Sequence, residues 1–317
     1  MIMKDFLEKV RNERQFLALT GLSMKQFDEL LNEFSSCLEV IKNERYRQNR
    51  KARVRKPGGG RKGVLTTPKH KLFFLLCFLK SYPTFAMIGF VFDRSSSKAA
   101  ENVKKLIPVL KMALKNLHVL PKRHFKDVAE FEQLIEDIEH IIIDATERPH
   151  FRHQKPPTQR RHYSGKKRRH TVKNTVLSDR SKRVLFVGKT AAGSRPDYPL
   201  LKDELKPEND WFKSVKASVD LGYQGIHSDY LSPQNIYIPH KKPRQSKKNI
   251  NPSLTGAQKR ENKQMGRIRV VVEHAIGGMK AFNILATKFR NRLKNFVDEV
   301  IFLVAGLWNL KNSFVIQ

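Results

Sequence analysis

The segment Ile141-Ile-Ile-Asp144 constrains the fold of this chain more than any other. Three consecutive β-branched residues favour a strand, and an unbroken apolar run is typical of a strand buried on both faces. The run ends in an aspartate, and an unpaired carboxylate inside an apolar core costs several kcal/mol. We therefore expect Asp144 to lie at the tip of the strand, where it faces solvent or a cation. A turn or N-cap role after the strand explains the same pattern.

Asp220 repeats this arrangement. It follows the β-prone segment 215–219 and precedes Gly222 and Gly225, which allow another backbone or a ligand to approach closely. Acids at the ends of neighbouring strands in a parallel or mixed sheet can meet at one edge, where such folds bind ligands. An ordinary turn residue after a strand is the alternative for Asp220.

Glu273 is a third acid, and it lies in a helical pattern at 266–280. At about 100° per residue, Arg269, Glu273 and Lys280 form a narrow charged line, and apolar residues cover the shoulders on both sides. A solvated helix face would be wider and more mixed in composition. We interpret the line as the wall of a site, and an i,i+4 pair between Arg269 and Glu273 is the alternative.

The charge of the chain points to the chemistry that three acids could perform. The sequence has 62 Lys+Arg against 30 Asp+Glu, with the basic excess concentrated in 41–63, 148–190 and 241–267. A polyanion such as nucleic acid is the expected partner. Three carboxylates can hold two hard divalent cations, and paired ions stabilise the attacking and leaving oxygens of a phosphodiester displacement. The pattern favours a nuclease or phosphoryl transferase over a merely basic structural protein.

Other features exclude membrane and disulfide-rich classes. No apolar run approaches the ~18 residues that a bilayer span requires, and the N-terminus has no secretory signal pattern. Cys37 and Cys77 lie in apolar helical segments without C-x-x-C spacing, which is typical of core residues in a reducing cytosol. We expect a cytoplasmic protein without a membrane partner.

The chain divides into three predicted parts. Residues 1–64 combine helices with a basic, glycine-rich linker, and residues 65–125 form a helical DNA-binding domain. Residues 126–317 form a catalytic domain, in which strand-like segments alternate with helices and predict an α/β sheet covered by helices. The strands are expected near 141–144, 171–177, 183–187, 215–219 and 235–239, the first three as an antiparallel meander, with closing helices near 255–283 and 291–312.

The helical part resembles a helix-turn-helix. Three helices are expected near 68–80, 84–91 and 96–116, with Ser95 to Ser97 as an N-cap and Lys98 directly after it. Two helices joined by a short turn, the second opening with serines and a lysine, match this DNA-binding motif. An ordinary three-helix bundle fits the pattern nearly as well.

The three acidic motifs together resemble the DDE motifs of bacterial insertion-sequence transposases, in the branch kin to PIF/Harbinger elements. The matching segments are I-I-I-D-A-T-E-R-P with Asp144, V-D-L-G-Y-Q-G with Asp220 and R-I-R-V-V-V-E-H-A-I-G-G-M-K with Glu273. The resemblance extends to H-Y-S-G-K-K-R-R-H before Thr171 and covers roughly 55–312. In the broader family the glutamate lies in a Tyr-x₂-Arg-x₃-Glu-x₆-Lys signature, and here Gly266 stands at the tyrosine position.

The resemblance implies an RNase H-like catalytic fold and a helix-turn-helix that reads terminal inverted repeats. It implies that Asp144, Asp220 and Glu273 hold two Mg²⁺ ions, for which Mn²⁺ would substitute. It further implies metal-dependent hydrolysis of double-stranded DNA at the element ends and joining of the 3′-hydroxyl to target DNA. Two ends held together require at least a homodimer, and the protein would associate with the nucleoid when bound to DNA.

Six cations are the expected DNA contacts. They are Arg269, Lys280, Lys166, Lys167, Arg168 and Lys98. Two other functions agree with the same sequence. One is a catalytically inactive or domesticated transposase relic that binds DNA, which retained acids disfavour. The other is a structure-specific nuclease that cuts DNA without joining it.

Overall fold

The computed structural model describes residues 6–48, 63–245, 250–293 and 295–316. The predicted glycine-rich linker at 56–63 therefore lies outside the described residues except for Gly63. The chain divides into two compact units. The first contains the described residues within 1–120, 280–287 and 309–315, and the second contains those within 121–279, 288–308 and 316–317.

Helices and strands are numbered separately, each in chain order. The helices are α1 (Glu13–Thr20), α2 (Met24–Gln48), α3 (Pro68–Ser81), α4 (Phe85–Val91), α5 (Ser96–Asn116), α6 (Val128–Leu134), α7 (Pro156–His162), α8 (Asp197–Glu204), α9 (Ile226–Asp229), α10 (Gly256–Lys280), α11 (Asn283–Ala286) and α12 (Phe296–Lys311). The strands are β1 (His140–Pro149), β2 (Tyr163–Ser164), β3 (Arg169–Asp179), β4 (Val184–Val187), β5 (Ala191–Ala192), β6 (Lys216–Ser218) and β7 (Ile236–Tyr237). Among the residues described, no helix is both long enough and apolar enough to span a membrane.

The first unit is helical throughout its described secondary structure, and its helices begin where the sequence signals predict. The side chains of Thr67, Thr84 and Ser95 each accept a hydrogen bond from a backbone amide in the first turn of α3, α4 and α5. Residues 72–79 of α3 are all buried, so this apolar helix forms the centre of the unit. Cys37 in α2 and Cys77 in α3 are free thiols and are both buried, as expected for core residues.

The second unit is built on a mixed sheet, which confirms the predicted α/β sheet flanked by helices. The strands lie in the order β2-β3-β1-β6-β7, with β4 and β5 also paired to β3. The pairs β1/β3 and β3/β4 are antiparallel, as the predicted meander requires. The pairs β1/β6 and β6/β7 are parallel. The cluster of buried side chains on one face includes Ile141, Ile143, Leu177, Ala217 and Val219.

The prediction that Asp144 ends its strand is wrong, because β1 continues to Pro149. The polar half of β1 pairs with β3 from Asp144↔Val176 to Pro149↔Thr171. Within it Arg148 is buried, and its Nη2 donates to Asn174 Oδ1 at 2.8 Å and to the Val297 carbonyl at 3.3 Å. Burial lowers the pKa of Arg148 to about 9. Hydrogen-bond partners that are distant in sequence therefore stabilise the polar half of β1, where the local sequence predicts that the strand ends.

The closing helices are shorter than predicted, since α10 ends at Lys280 and α12 begins at Phe296. Helix α10 approaches α12 closely at Gly278. A Cβ atom added there would lie 1.9 Å from Trp308 Cζ3, whereas at Gly277 it would meet no described atom of another element within 4 Å. Trp308 is held from the other side, because its Nε1 donates to the Lys182 carbonyl at 2.9 Å. The position of α10 therefore depends on the absence of a side chain at residue 278.

We predict opposite effects of alanine at these neighbouring glycines. Gly278→Ala forces Trp308 to move and should lower the free energy of unfolding by about 1–3 kcal/mol. Gly277→Ala adds a better helix former in open space and should raise it by up to about 1 kcal/mol. Urea denaturation of the full chain measures both. Equal effects of the two substitutions would contradict the close approach of α10 to Trp308.

Candidate active site

The parallel pairing of β1 with β6 places Asp144 and Asp220 at equivalent positions. Ile142 pairs with Ser218, and each aspartate follows two residues later in its own chain segment. Asp220 lies just beyond β6 but keeps an extended backbone, with φ −84° and ψ 166°. Because residues two apart share a face of a strand, both carboxylates lie on the same face as Ile142 and Ser218. The predicted meeting of two acids on neighbouring strands is what the register produces.

Asp220 also has the turn role that its sequence context allowed. Its Oδ1 accepts a hydrogen bond of 2.6 Å from the Leu221 amide and so caps the short 3-10 helix Leu221–Tyr223. This bond orients the carboxylate, while 41% of the side chain remains exposed. The capping role and a role in the site are compatible, because an oriented and accessible carboxylate can still accept another partner.

Helix α10 brings Glu273 and Arg269 to the two aspartates. Val272, Ala275, Ile276 and Met279 form its buried face. On another side, Arg269 Nη1 lies 3.4 Å from Asp220 Oδ1, and its Nη2 lies 4.0 Å from Glu273 Oε1. The Arg269 side chain is only 17% exposed. Val270, one of the apolar residues beside the charged line, is 41% exposed, so that shoulder of the helix is open to solvent.

Asp144 is the most deeply placed of the three acids. Burial raises its pKa from the usual 3.8 to about 6, opposed by a hydrogen bond from the Ala145 amide and by the positive charge of Arg269. The negative charges of Asp220 and Asp197 raise it further. A neighbouring cation would therefore relieve an electrostatic cost that the fold imposes on Asp144.

Further polar groups lie near the acids, and the sequence did not reveal their contacts. Lys173 donates to Asp197 Oδ1 at 2.9 Å and to the Arg195 carbonyl at 3.0 Å. The Tyr223 hydroxyl is buried and has no hydrogen-bond partner among the described residues. Burial raises the pKa of Tyr223 well above its ordinary value, and Asp144 adds to the shift. The motif V-D-L-G-Y-Q-G contains this tyrosine, which was the available signal.

The donor set of this group suits a hard divalent cation. It consists of carboxylate oxygens, which Mg²⁺ and Mn²⁺ prefer, and Asp220 and Glu273 are open to solvent. In the described parts of the chain, Asp144, Asp220 and Glu273 do not form a group whose ligand atoms all lie within 4.8 Å of one another. Arg269 supplies positive charge beside Asp220 and Glu273.

The other predicted DNA contacts lie elsewhere. Lys166, Lys167 and Arg168 are exposed in the turn between β2 and β3. Lys280 is the last residue of α10, seven positions after Glu273. Lys98 is exposed near the start of α5, in the first unit, and its Nζ lies 2.9 Å from Glu101. Of the six predicted DNA contacts, the structure thus brings Arg269 within ion-pair distance of the acids.

Known proteins match this chain over the residues that carry all three acids. The family described as DDE superfamily endonuclease matches residues 143–309. The probable transposase for insertion sequence element IS702 from Microchaete diplosiphon is 26% identical over 308 residues, which are 97% of this chain and 98% of that protein. No solved structure matches. All three acids fall within the matched residues.

The raised pKa of Asp144 predicts a pH-dependent stability difference in metal-free protein. A carboxyl whose folded pKa exceeds its unfolded value stabilises the fold fully at low pH and loses that contribution as pH rises through the folded value. Asp144→Asn should therefore exceed the wild type in unfolding free energy by roughly 2–3 kcal/mol at about pH 7.5. The difference should shrink as the pH falls and vanish below about pH 3.8, the ordinary pKa of an aspartate.

Urea denaturation of both proteins in excess chelator, across this pH range, measures the effect. Restoring a divalent cation provides the control, because it should narrow the gap at high pH. A variant that is no more stable than the wild type at high pH would contradict the electrostatic account of Asp144.

Proposed function

This chain belongs to the DDE superfamily endonucleases, and from that premise we propose that it cleaves DNA at the ends of an insertion sequence and joins them to target DNA. The resemblance to insertion-sequence DDE transposases is thereby confirmed at the level of the family. The observation that carries the proposal is the arrangement of Asp144, Asp220 and Glu273 around Arg269 within the matched residues.

The three acids would hold two Mg²⁺ ions, with Mn²⁺ as a substitute. When bound, the ions supply Lewis acidity toward the attacking and leaving oxygens of the phosphodiester. Asp144 contributes a desolvated carboxylate that gains most from a nearby positive charge. Asp220 is oriented by the Leu221 amide, and Glu273 extends from α10 into solvent.

Arg269 has two roles in this proposal. Without ions it balances the negative charge of Asp220 and Glu273, at 3.4 and 4.0 Å. Once cations take over that balance, its guanidinium can contact a phosphate beside the cleaved bond, since arginine binds phosphate oxygens in a fork geometry. Lys280, farther along α10, would contact DNA beyond it.

Two displacements at phosphorus complete the reaction. In the first, water attacks a phosphodiester at the element end, the bond to the 3′ oxygen breaks, and a 3′-hydroxyl and a 5′-phosphate result. In the second, that 3′-hydroxyl attacks a phosphodiester of the target, forms a new phosphorus–oxygen bond and releases a target 3′-hydroxyl. In each step the attacking oxygen loses a proton and the leaving 3′ oxygen gains one, so neither step needs an oxidant or a reductant. Hydrolysis also leaves a 5′-phosphate monoester, which releases a further proton near neutral pH, whereas strand transfer is proton-neutral. Two ends joined together imply at least a homodimer on the DNA.

Helices α4 and α5 of the first unit would form the helix-turn-helix that reads the terminal repeats. Arg94 donates its amide hydrogen to the Gly89 carbonyl at 2.7 Å, and a Cβ at Gly89 would lie 2.6 Å from the Arg94 carbonyl oxygen, so the turn between the helices is tight. Residues 95–98 at the start of α5 are exposed, and Phe90 in α4 is 80% exposed. A helix N-terminus with exposed serines and Lys98 suits insertion into a major groove.

We predict that the acids are required for chemistry and not for DNA binding. Asp144→Asn, Asp220→Asn and Glu273→Gln should each reduce cleavage of a labelled terminal-repeat duplex in Mg²⁺ by at least about 10³-fold, as expected when one member of a catalytic unit is removed. Glu261→Gln on the same helix is the matched control, because Glu261 contacts His240 away from the site. It should cleave normally.

The products of that assay distinguish the alternatives. Cleaved and joined products from the wild type and the control, both absent in the three variants with binding retained, support the transposase. Cleavage without joined products would indicate a nuclease instead. Specific binding without cleavage in Mg²⁺ or Mn²⁺ would leave a DNA-binding relic.

Lys166 and Lys167, in the turn between β2 and β3, should contribute to DNA binding differently from Lys98 at the start of α5. Alanine at both Lys166 and Lys167 should weaken binding to every duplex alike. The slope of log affinity against log salt concentration should become shallower by roughly 0.9 for each phosphate that is no longer neutralised. Lys98→Ala should chiefly reduce the preference for the terminal repeat over a scrambled duplex.

Fluorescence anisotropy at several salt concentrations measures both effects. Lys115→Ala, at the far end of α5, is the control for Lys98. An unchanged preference in Lys98→Ala would contradict its assigned role.

A further inference from the structure

Three histidines of the second unit converge outside the acidic group. One ring nitrogen each of His150, His153 and His162 lies within 4.8 Å of those of the other two. Their ring centroids are 5.3 Å apart for His150 and His153, 5.6 Å for His150 and His162, and 4.2 Å for His153 and His162. Neither the DNA chemistry nor the family match gives these side chains a role.

The hydrogen bonds of two rings fix which nitrogen remains available. His162 Nδ1 lies 2.9 Å from the Thr158 carbonyl oxygen, and His150 Nδ1 lies 3.3 Å from the Phe151 carbonyl oxygen. A carbonyl oxygen only accepts, so each Nδ1 carries the hydrogen and each Nε2 keeps its lone pair. Metal-binding histidines characteristically donate their second ring N–H to a carbonyl or carboxylate in this way.

The third ring supplies an unpartnered nitrogen. His153 Nε2 is buried and has no hydrogen-bond partner among the described residues. A buried polar atom without a partner carries a free-energy cost, which a metal at the centre of the group would remove. Burial also lowers the pKa of His150 to about 4 and of His153 below its usual value, so these rings are neutral near pH 7, as ligands must be.

We propose that His150, His153 and His162 form a binding site for one borderline-soft transition-metal ion, of which Zn²⁺ is the best match. Imidazole nitrogens suit Zn²⁺, whereas Mg²⁺ prefers oxygen, so the site is chemically separate from the carboxylates. Nitrogens bound to one tetrahedral zinc at about 2.0–2.1 Å lie roughly 3.3 Å apart, so closing the group requires shifts of no more than about 1.5 Å. This inference does not depend on the proposed reaction.

The surroundings leave space for a fourth ligand. The three histidines line a cavity of about 1350 Å³, together with Arg161 and Arg292. Water or a small anion can enter it, and the two arginines favour an anion. Three protein ligands with an open fourth position are a common arrangement for zinc.

A bound metal would restrict the basic turn, which is formed by Lys166, Lys167 and Arg168 between β2 and β3. His150 directly follows β1, and its amide donates to the His170 carbonyl of β3 at 2.8 Å. His162 ends α7, which leads directly into β2 and the exposed Lys166, Lys167 and Arg168. A metal that joins His150 to His162 therefore closes the segment 150–162 into a loop and limits the motion of the adjacent cations.

The test uses untagged, full-length protein that has been stripped with chelator and then dialysed against Zn²⁺ or Co²⁺. Saturating Mg²⁺ is present throughout, so that the carboxylates are occupied. The readouts are the metal retained per chain after desalting and the visible absorption of tetrahedral Co²⁺. Hydrogen exchange of residues 150–169, with and without Zn²⁺, reports the fastening of the basic turn.

Partly exposed positions supply the variants. His153→Ala and His162→Ala should each weaken Zn²⁺ binding by at least about tenfold, since even second-sphere changes cost about 10–100-fold. His124→Ala is the matched control, because His124 lines the same cavity but lies outside the group. The metal-free variants should melt as the wild type does.

Each outcome decides the proposal. About one Zn²⁺ per chain in the wild type and His124→Ala, absent in the two other variants, with slower exchange in 150–169, supports it. A wild type that retains no Zn²⁺ overturns it whether or not the variants fold. Retention that is unchanged in both variants, or equally abolished in His124→Ala, would assign the metal to other surface groups and overturn it as well.

Discussion

The parallel pairing of β1 with β6 is the constraint on which this site depends. It spans only three residue pairs, from His140↔Lys216 to Ile142↔Ser218, yet it sets Asp144 and Asp220 at one level on one face. A shift of one residue in either strand would turn one carboxylate to the opposite face. The long antiparallel ladder between β1 and β3 holds β1 in place, and the three parallel pairs then set the register of β6 against it.

Placing these acids together has an electrostatic cost that the fold does not remove. The pKa values of Asp144 and Tyr223 are both raised there, and Arg269 offsets part of the cost at Asp144. Titratable residues whose pKa is shifted in this way commonly mark functional sites, where activity is retained at some cost in stability. Asp197, whose negative charge also raises the pKa of Asp144, is paired with Lys173 at 2.9 Å, so part of that charge is balanced locally.

The sequence predicted the features that depend on local signals. The starts of α3, α4 and α5 follow capping side chains, and the apolar run 141–143 is a buried strand. Features that depend on residues distant in the chain could not be predicted from the sequence. Residues 144–149 remain a strand because β3 pairs with them, and Arg269 reaches Asp220 only through the placement of α10. The three histidines have no regular spacing in the sequence, and a turn and a short helix bring their rings together.

Affinity cleavage by iron would test most directly whether Asp144, Asp220 and Glu273 hold the metal. Fe²⁺ replaces Mg²⁺ at carboxylate sites and, with ascorbate and peroxide, generates radicals that cut the backbone nearby. We expect fragments whose ends lie near residues 144, 220 and 273, and we expect added Mg²⁺ to suppress them. Backbone cuts confined to 150–162, or cuts at the acids that Mg²⁺ does not suppress, would contradict the account.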